Sequence, residues 1–244
     1  MNLLDENTKE KLCRLSSIIE GSRYRYAVIG ATAFFIHQVN LTRTTRDIDF
    51  TILMTGDWED FEDLKRLFTK EAFQFTGIPH RMKSGDGFII DLLPVGPRFI
   101  KDEAIWWPDG IVMNANGLEE AIEHAFEINI SNCIIPVAPL PVLVMLKLFA
   151  YGDQFDIKHI KDVLRCFIFY EKERRFDLMN EEIEGLTYEN AGAYLLGRDL
   201  MSIISKRQVS LIDSIISDYE EKLFIDEDEM EMFNFFRYGL KRRR

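Results

Sequence analysis

The chain has 244 residues, 47% hydrophobic and 12% aromatic, which allows one large domain or two small ones with a substantial core. Its net charge of -11 argues against general, sequence-independent nucleic-acid binding, which needs many Lys and Arg contacts to phosphate, but leaves room for a local basic patch. The N-terminal segment is too polar for a signal peptide, and the longest apolar stretch, 133–150, contains three prolines and a lysine. We therefore expect a cytoplasmic protein with no membrane partner.

The cysteines are odd in number and far apart in the chain, at Cys13, Cys133 and Cys166. This spacing predicts neither a disulfide nor a metal site. Cys133 and Cys166 lie among apolar residues and are expected to be small core side chains. The four histidines fall on separate predicted elements without ligand spacing, so zinc is not expected.

Strands alternate with helices in the first part of the chain. Gly21 is expected to end the first helix and Asp57 to be the N-cap of the third. Helices are predicted over 7–21, 31–39 and 57–73, and strands over 26–30, 47–53, 87–96 and 133–138.

The chain after Pro139 is predicted to be helical. Its helices are expected over 139–152, 156–173, 188–204, 209–223 and 228–238. The sequence thus predicts an α/β domain over 1–136, followed by a helical domain over 137–244.

The segment RTTRDIDFTIL, residues 43–53, places two carboxylates in an otherwise apolar strand. Residues i and i+2 of a strand point to the same side, so Asp47 and Asp49 project together while Ile48 and Phe50 face the core. Burying a bare carboxylate is costly, and such groups are normally paired with a cation or hold a metal.

A further aspartate, Asp91, lies in the apolar strand FIIDLL. If the two strands are neighbours, Asp47, Asp49 and Asp91 converge, and their mutual repulsion calls for cations. Oxygen ligands of this kind suit Mg²⁺ or Mn²⁺, and a pair of such ions serves in-line nucleotidyl transfer. The structural alternative is that Asp47 and Asp49 pair with Arg43 and Arg46, with Asp91 at a strand end.

The pair Gly30–Ala31 joins the first strand to a helix. Small residues at such a junction let the backbone approach a phosphate, and the helix N-terminus offers free N–H groups. An ordinary strand–helix turn is the alternative interpretation. The combination of this junction with the two Asp-bearing strands is stronger evidence for a functional site than any one of these features alone.

The segment VIGATAFFIHQVNLTRTTRDIDF resembles the nucleotidyltransferases of the DNA polymerase β superfamily, and more narrowly the AbiEii-type group that includes bacterial toxins. That group carries a strand, a Gly-Gly or Gly-Ser pair, a helix and an Arg-x-Thr-x-Asp-x-Asp segment. The matching residues are Gly30, Arg43, Thr45, Asp47 and Asp49. Ala31 replaces the second small residue, which removes any serine hydroxyl contact to phosphate. The resemblance covers about 26–167.

The resemblance implies a mixed α/β sheet with flanking helices, followed by a C-terminal helical region. It implies Mg²⁺ or Mn²⁺ as cofactor, NTP (ATP among them) as substrate, and roles for three sets of residues. The implied metal ligands are Asp47, Asp49 and Asp91. The implied catalytic residues are these three with Lys147 and Asp162. The implied nucleotide-binding residues are Gly30, Ala31, Thr32, Arg43, Thr45 and Arg46.

Lys147 stands out without the family, because every other residue of 142–150 is apolar. A helix that is apolar on all sides is buried, so its lysine should meet an anion or extend to an edge. The functional interpretation has it contacting nucleotide phosphates across a cleft between the two parts. Asp162 lies opposite the apolar face of its helix, and its structural alternative is a pair with Lys158.

We therefore predict a nucleotidyltransferase that moves NMP from an NTP to a hydroxyl or phosphate. The alternatives are a non-catalytic module that binds a nucleotide or partner, a protein-NMPylating enzyme, and a phosphohydrolase acting on water. The resemblance favours RNA as acceptor, most of all the end of a tRNA, over protein, and implies a toxin with an antitoxin partner. Arg23, Arg25 and the C-terminal run 241–244 add local positive charge.

Overall fold

The computed structural model describes residues 3–41, 43–222 and 226–242. The chain divides into two compact units, Met1–Pro139 and Leu140–Arg244. The assignment of separate functional domains to 1–136 and 137–244 stays a prediction. In the described part of the chain, no helix combines the length and apolar character that crossing a membrane requires.

The first unit is built on a mixed sheet of seven strands. Its helices are α1 Glu6–Gly21, α2 Gly30–Ile36, α3 Trp58–Phe68 and α4 Leu118–Glu123. Its strands are β1 Arg25–Ile29, β2 Asp47–Leu53, β3 Phe73–Phe75, β4 Arg81–Ser84, β5 Ile89–Val95, β6 Ile100–Lys101, β7 Ala104–Trp106, β8 Val112–Asn114, β9 Phe126–Ile130 and β10 Cys133–Val137. The large sheet has the order β3-β4-β5-β2-β1-β10-β9, and β6, β7 and β8 form a separate small sheet. This mixed α/β architecture, followed by helices, confirms the predicted fold class.

Strand β2 occupies the middle of the large sheet, parallel to β5 and antiparallel to β1. Its residues Ile48, Phe50 and Ile52 are fully buried, and burial of such side chains is the main stabilising term for the sheet. The alternating residues Asp47 and Asp49 are half-buried. The predicted period-2 pattern of this strand is therefore confirmed.

Helix α3 begins as predicted but ends earlier. Asp57 is its N-cap and forms a capping box with Asp60. The predicted helix extends to Phe73, whereas the observed one ends at Phe68, followed by a short 3-10 turn. Ala72 then takes a left-handed backbone conformation (φ 63°), which breaks the helix and lets β3 begin.

Helices are the only regular elements in the described residues of the second unit, 140–222 and 226–242. Its helices are α5 Leu140–Gln154, α6 Ile157–Phe169, α7 Lys172–Leu178, α8 Ala191–Met201, α9 Lys206–Lys222 and α10 Glu227–Lys241. Fully buried Phe167, Phe233 and Phe236 pack their rings together in its core. The sequence pattern misses α7, and Leu223, Arg243 and Arg244, which belong to the predicted last elements, lie outside the described residues.

The expectation of no disulfide is wrong. Cys13 of α1 and Cys133 of β10 are joined by a disulfide, with their Cα atoms 5.9 Å apart. The two residues are 120 positions apart in sequence, and only the packing of α1 against β10 brings them together. Cys133 is therefore not a simple core residue, whereas Cys166 is fully buried as expected.

Candidate active site

Four neighbouring strands place a row of functional groups on one side of the large sheet. Asp49 of β2 is in register with Ile29 of β1 on one side and with Asp91 of β5 on the other. Asp91 is in turn in register with Arg81 of β4. Side chains in register on adjacent strands lie on the same face, so the two aspartates and the arginine are direct neighbours.

The predicted convergence of the carboxylates is visible in this register. Asp47 lies two residues before Asp49 on β2 and shares its face of the strand. Asp91 is the third residue of β5 and has only 7% of its surface exposed. It is therefore inside the strand, and the alternative that placed it at a strand end is wrong.

Gly30 lies directly beside the Asp49 carboxylate. A Cβ atom at position 30 would overlap an oxygen of Asp49. Gly30 also has a left-handed backbone (φ 69°), a conformation that favours glycine. Gly30 thus makes room for the Asp49 carboxylate of the neighbouring strand. The sequence pattern does not reveal this role.

Two threonines form hydrogen bonds with the backbone of Asp47. The hydroxyl of buried Thr32 donates a hydrogen bond to the Asp47 carbonyl at 2.6 Å. The backbone N–H of Asp47 donates to the hydroxyl of Thr45 at 3.3 Å. Both contacts fix the first residue of β2, so these threonines position a carboxylate; their predicted contact with nucleotide stays a prediction.

Arg81 holds Asp91 through two parallel hydrogen bonds. Its Nε donates to one carboxylate oxygen at 2.8 Å, and a terminal nitrogen donates to the other at 2.6 Å. Paired hydrogen bonds of this kind between Arg and a carboxylate are among the strongest polar contacts in proteins. Hydrogen bonding to Asp91 raises the pKa of Arg81, burial opposes this, and the charges of Asp91, Asp47 and Asp49 add to the increase.

The sequence analysis misses Arg81, although a signal for it exists. Residues Asp86 and Gly87 form the Asp-Gly pair typical of a β-hairpin turn, and β4 and β5 flank this turn. The hairpin register then places Arg81 opposite Asp91.

The chemistry of these side chains fits a divalent cation, but their arrangement does not complete a site for one. Asp47, Asp49 and Asp91 offer the hard oxygen donors that Mg²⁺ and Mn²⁺ prefer. Within residues 3–41, 43–222 and 226–242, no group of three or more His, Cys, Asp or Glu side chains is arranged to hold a metal ion. Both oxygens of Asp91 accept hydrogen bonds from Arg81.

The remaining predicted nucleotide-binding residues precede β2. Arg43 and Thr45 are half-buried and line a cavity of about 330 Å³, together with Asp5 and Asn40, while Arg46 is exposed. Ala31 is buried at the start of α2. The alternative pairing of Asp47 and Asp49 with the two arginines stays a prediction.

The two predicted catalytic residues of the second unit form an ion pair with each other. The Lys147 ammonium of α5 lies 2.8 Å from a carboxylate oxygen of Asp162 on α6, and both side chains are almost fully buried. The structural alternative for Asp162 is wrong, because Lys158 pairs with Asp156 at 2.7 Å instead. Lys147 thus meets an anion within its own unit; its predicted contact with nucleotide phosphates stays a prediction.

His159 lies in the surroundings of this ion pair. Burial, followed by the charges of Lys147 and Lys158, lowers the pKa of His159 to about 4. Its Nε2 lies 3.2 Å from the side-chain oxygen of Gln154. The imidazole is therefore neutral at pH 7 and does not add positive charge beside Lys147.

Several nucleotidyltransferase structures are similar to this chain. ANT(2'')-Ia in complex with adenylyl-2''-tobramycin has 12% identity and a TM-score of 0.46, covering 87% of this chain and 99% of its own. The lincomycin-bound lincosamide antibiotic adenylyltransferase LnuA has 17% identity and a TM-score of 0.40, covering 68% and 97%. An antigenic nucleotidyltransferase-like protein from Paracoccidioides brasiliensis has 15% identity and a TM-score of 0.43, covering 69% and 78%.

No protein-family model matches the chain, and no curated protein matches it significantly in sequence. The identities to the three structures all lie below 25% and their TM-scores below 0.5.

Proposed function

We propose that this protein is a metal-dependent nucleotidyltransferase, which transfers NMP from an NTP to a hydroxyl or phosphate of an acceptor and releases pyrophosphate. The observation that carries this proposal is the register of Asp49 with Asp91, with Asp47 on the same side of β2. Neighbouring carboxylates repel one another and are costly to keep half-buried in a sheet. A binding site for cations and phosphates explains why such a group is present.

In the proposed reaction, an acceptor oxygen attacks the α-phosphorus of the NTP, the bond to the bridging oxygen of the β-phosphate breaks, and pyrophosphate leaves. Asp47 and Asp49 hold Mg²⁺ or Mn²⁺, which when bound offsets the negative charge of the phosphates. Asp91 completes the ligand set and helps to take the proton of the attacking hydroxyl.

The remaining residues of the first unit position this group. Thr32 and Thr45 fix the backbone of Asp47 through the two hydrogen bonds described above. Gly30 allows the Asp49 carboxylate to lie against the backbone at the start of α2. The backbone of Gly30 and Ala31, with the side chains of Arg43 and Arg46, is proposed to contact the nucleotide.

We propose RNA as the acceptor, in particular the end of a tRNA, and a role as a toxin controlled by an antitoxin. The family resemblance carries most of this choice, and the arginines of the segment RTTRD add local positive charge beside Asp47. The net charge of -11 opposes RNA binding at long range. The enzyme should therefore use few phosphate contacts, and its RNA affinity should fall only weakly with salt.

Labelling experiments test this proposal directly. The protein is incubated with Mg²⁺ or Mn²⁺ and each α-³²P-labelled NTP, together with total RNA, lysate protein or a small-molecule fraction. We expect pyrophosphate release and label in RNA, and neither with Asp49→Asn. Label in polypeptide would identify a protein-modifying enzyme, and phosphate release without an acceptor would identify a phosphohydrolase. Nucleotide binding without turnover in every fraction would leave only a binding module.

A further inference from the structure

We propose that Arg81 is a positioning residue that competes with the divalent cation for Asp91 and gives up this carboxylate when NTP binds. Arg81 then donates its hydrogen bonds to phosphate oxygens of the NTP, and the Asp91 carboxylate becomes available to the cation. Cation binding and nucleotide binding are thereby coupled through one side chain. This inference rests on the proposed function and adds an ordered exchange of partners to it.

The contact geometry supports the competition. Both oxygens of Asp91 accept hydrogen bonds from Arg81, at 2.8 and 2.6 Å. A carboxylate held in this way has its strongest acceptor directions occupied, so a cation has to displace the arginine to use them.

The charges around Arg81 support the release. One guanidinium faces Asp47, Asp49 and Asp91, and all three carboxylates favour its charged form. The same three carboxylates attract a divalent cation, which therefore competes with the guanidinium for them. Once a cation is bound to Asp47 and Asp49, Arg81 is repelled by it, and its attraction to the site weakens.

The exposure of the two partners favours Arg81 as the one that moves in the proposed exchange. The Arg81 side chain is 33% exposed and that of Asp91 is 10% exposed. Asp91 is fixed by β5, which is paired on both sides, whereas the arginine has a long side chain whose end can reach other acceptors. A guanidinium presents the same fork of donors to a phosphate as to a carboxylate, so the exchange keeps its hydrogen bonds.

Manganese binding tests the proposal without any turnover. Mn²⁺ affinity is measured by electron paramagnetic resonance for wild type, Arg81→Met and Arg81→Lys, first alone and then with a non-hydrolysable ATP analogue. Without nucleotide, Arg81→Met should bind Mn²⁺ about tenfold more tightly, because a charge-assisted pair no longer competes. Arg81→Lys should be intermediate, since an ammonium lacks the two-pronged contact. The analogue should increase Mn²⁺ affinity more in wild type than in Arg81→Met.

Asp91→Asn provides the second measurement. In wild type without nucleotide, this change should hardly affect Mn²⁺ binding, because Asp91 is already engaged; in the Arg81→Met background it should remove the gain. Arg98→Met is the matched control, because Arg98 lies near Asp57 in an exposed ion pair of the same unit. It should change nothing.

Unchanged or weaker Mn²⁺ binding by both Arg81 variants, with their thermal unfolding cooperative, would overturn the proposal. Should Arg81→Met not fold, Arg81→Lys still decides it, because its smaller gain in Mn²⁺ affinity should also disappear when Asp91→Asn is added. These results are separate from the proposed function. A wild type without NTP turnover whose Mn²⁺ affinity still responds to Arg81→Met would refute the reaction and leave the competition standing.

Discussion

Arg81–Asp91 in the first unit and Lys147–Asp162 in the second are both pairs of a cation with a buried carboxylate, but their surroundings differ. Arg81 is 33% exposed and faces two further carboxylates, whereas Lys147 and Asp162 are exposed by only 10% and 3%. The first pair lies near the charges of Asp47 and Asp49, and its arginine is partly exposed, so we expect Arg81 to be able to exchange its partner. In the second pair, the loss of one charge removes a buried partner from the other. We therefore expect the contact to be exchangeable in the first unit and to contribute to stability in the second.

The largest effect is expected in the first unit. Asp49→Asn and Asp91→Asn should each reduce nucleotidyl transfer by about a thousandfold or more, because each removes a negative charge from the proposed cation site. Pyrophosphate release under saturating NTP measures this loss. Exposed Asp63→Asn is the control and should keep full activity. Full activity in Asp49→Asn would contradict the proposed site.

Asp91→Asn should also affect stability. It should lower the free energy of unfolding by about 1–3 kcal/mol, because Arg81 loses a charged partner. Urea unfolding of wild type and variant at pH 7 measures the difference.

Removing Lys147 should break the second pair. Lys147→Met should lower the free energy of unfolding by about 3–5 kcal/mol, because the buried Asp162 carboxylate loses its ion pair with Lys147. The double variant Lys147→Met/Asp162→Leu should recover most of this loss, since neither charge remains. Exposed Lys158→Met, which removes a surface pair with Asp156, should cost less than about 1 kcal/mol. Equal stabilities of the single and double variants would show that the pair is not the cause.

A substitution at Gly30 tests how closely the Asp49 carboxylate packs against the start of α2. Gly30→Ala should lower activity about tenfold to a hundredfold, because the new methyl group overlaps the Asp49 carboxylate and displaces it. It should also cost about 1 kcal/mol or more in stability through its left-handed backbone. Gly87→Ala is the matched control, with a similar φ of 85° and no atom within 4 Å of the added Cβ. It should lose stability without losing activity, and equal activity of the two variants would contradict the role of Gly30.

The sequence predicts much of the first site, because a period of two determines the direction of side chains within a strand. Asp47, Asp49 and the buried Ile48 and Phe50 follow this rule. It cannot specify which strands become neighbours, so the register of Asp49 with Asp91 needs the fold.

Contacts between distant elements are harder to predict. The pairing of Lys147 with Asp162 depends on how α5 packs on α6, and the Cys13–Cys133 disulfide depends on α1 meeting β10. Short strands such as β3 and β4 are missed because three or four residues carry too little periodicity to be distinguished from a loop.

The smallest effect concerns pH and the surroundings of Lys147. Burial and the nearby lysines lower the pKa of His159 to about 4 in the folded protein, whereas the unfolded chain should titrate near the ordinary value of 6.5. Between these values the unfolded state binds more protons, so stability should fall as pH decreases through this window and be level above it. His159→Gln should reduce this slope, and exposed His124→Gln should not.

A variant without Lys147 tests how much of the lowered pKa of His159 is due to its charge. Its charge is the second cause of the lowered pKa of His159, after burial. In the Lys147→Met/Asp162→Leu variant, the pKa of His159 should therefore lie closer to 6.5, and the pH dependence of stability should be shallower than in wild type. Melting temperatures between pH 4.5 and 7 measure the slopes, and the pKa follows from the NMR shift of the imidazole protons. An unchanged pKa in that variant would mean that the opposing effects of Lys147 and Asp162 on His159 cancel, which leaves burial and Lys158 as the causes of the lowered pKa.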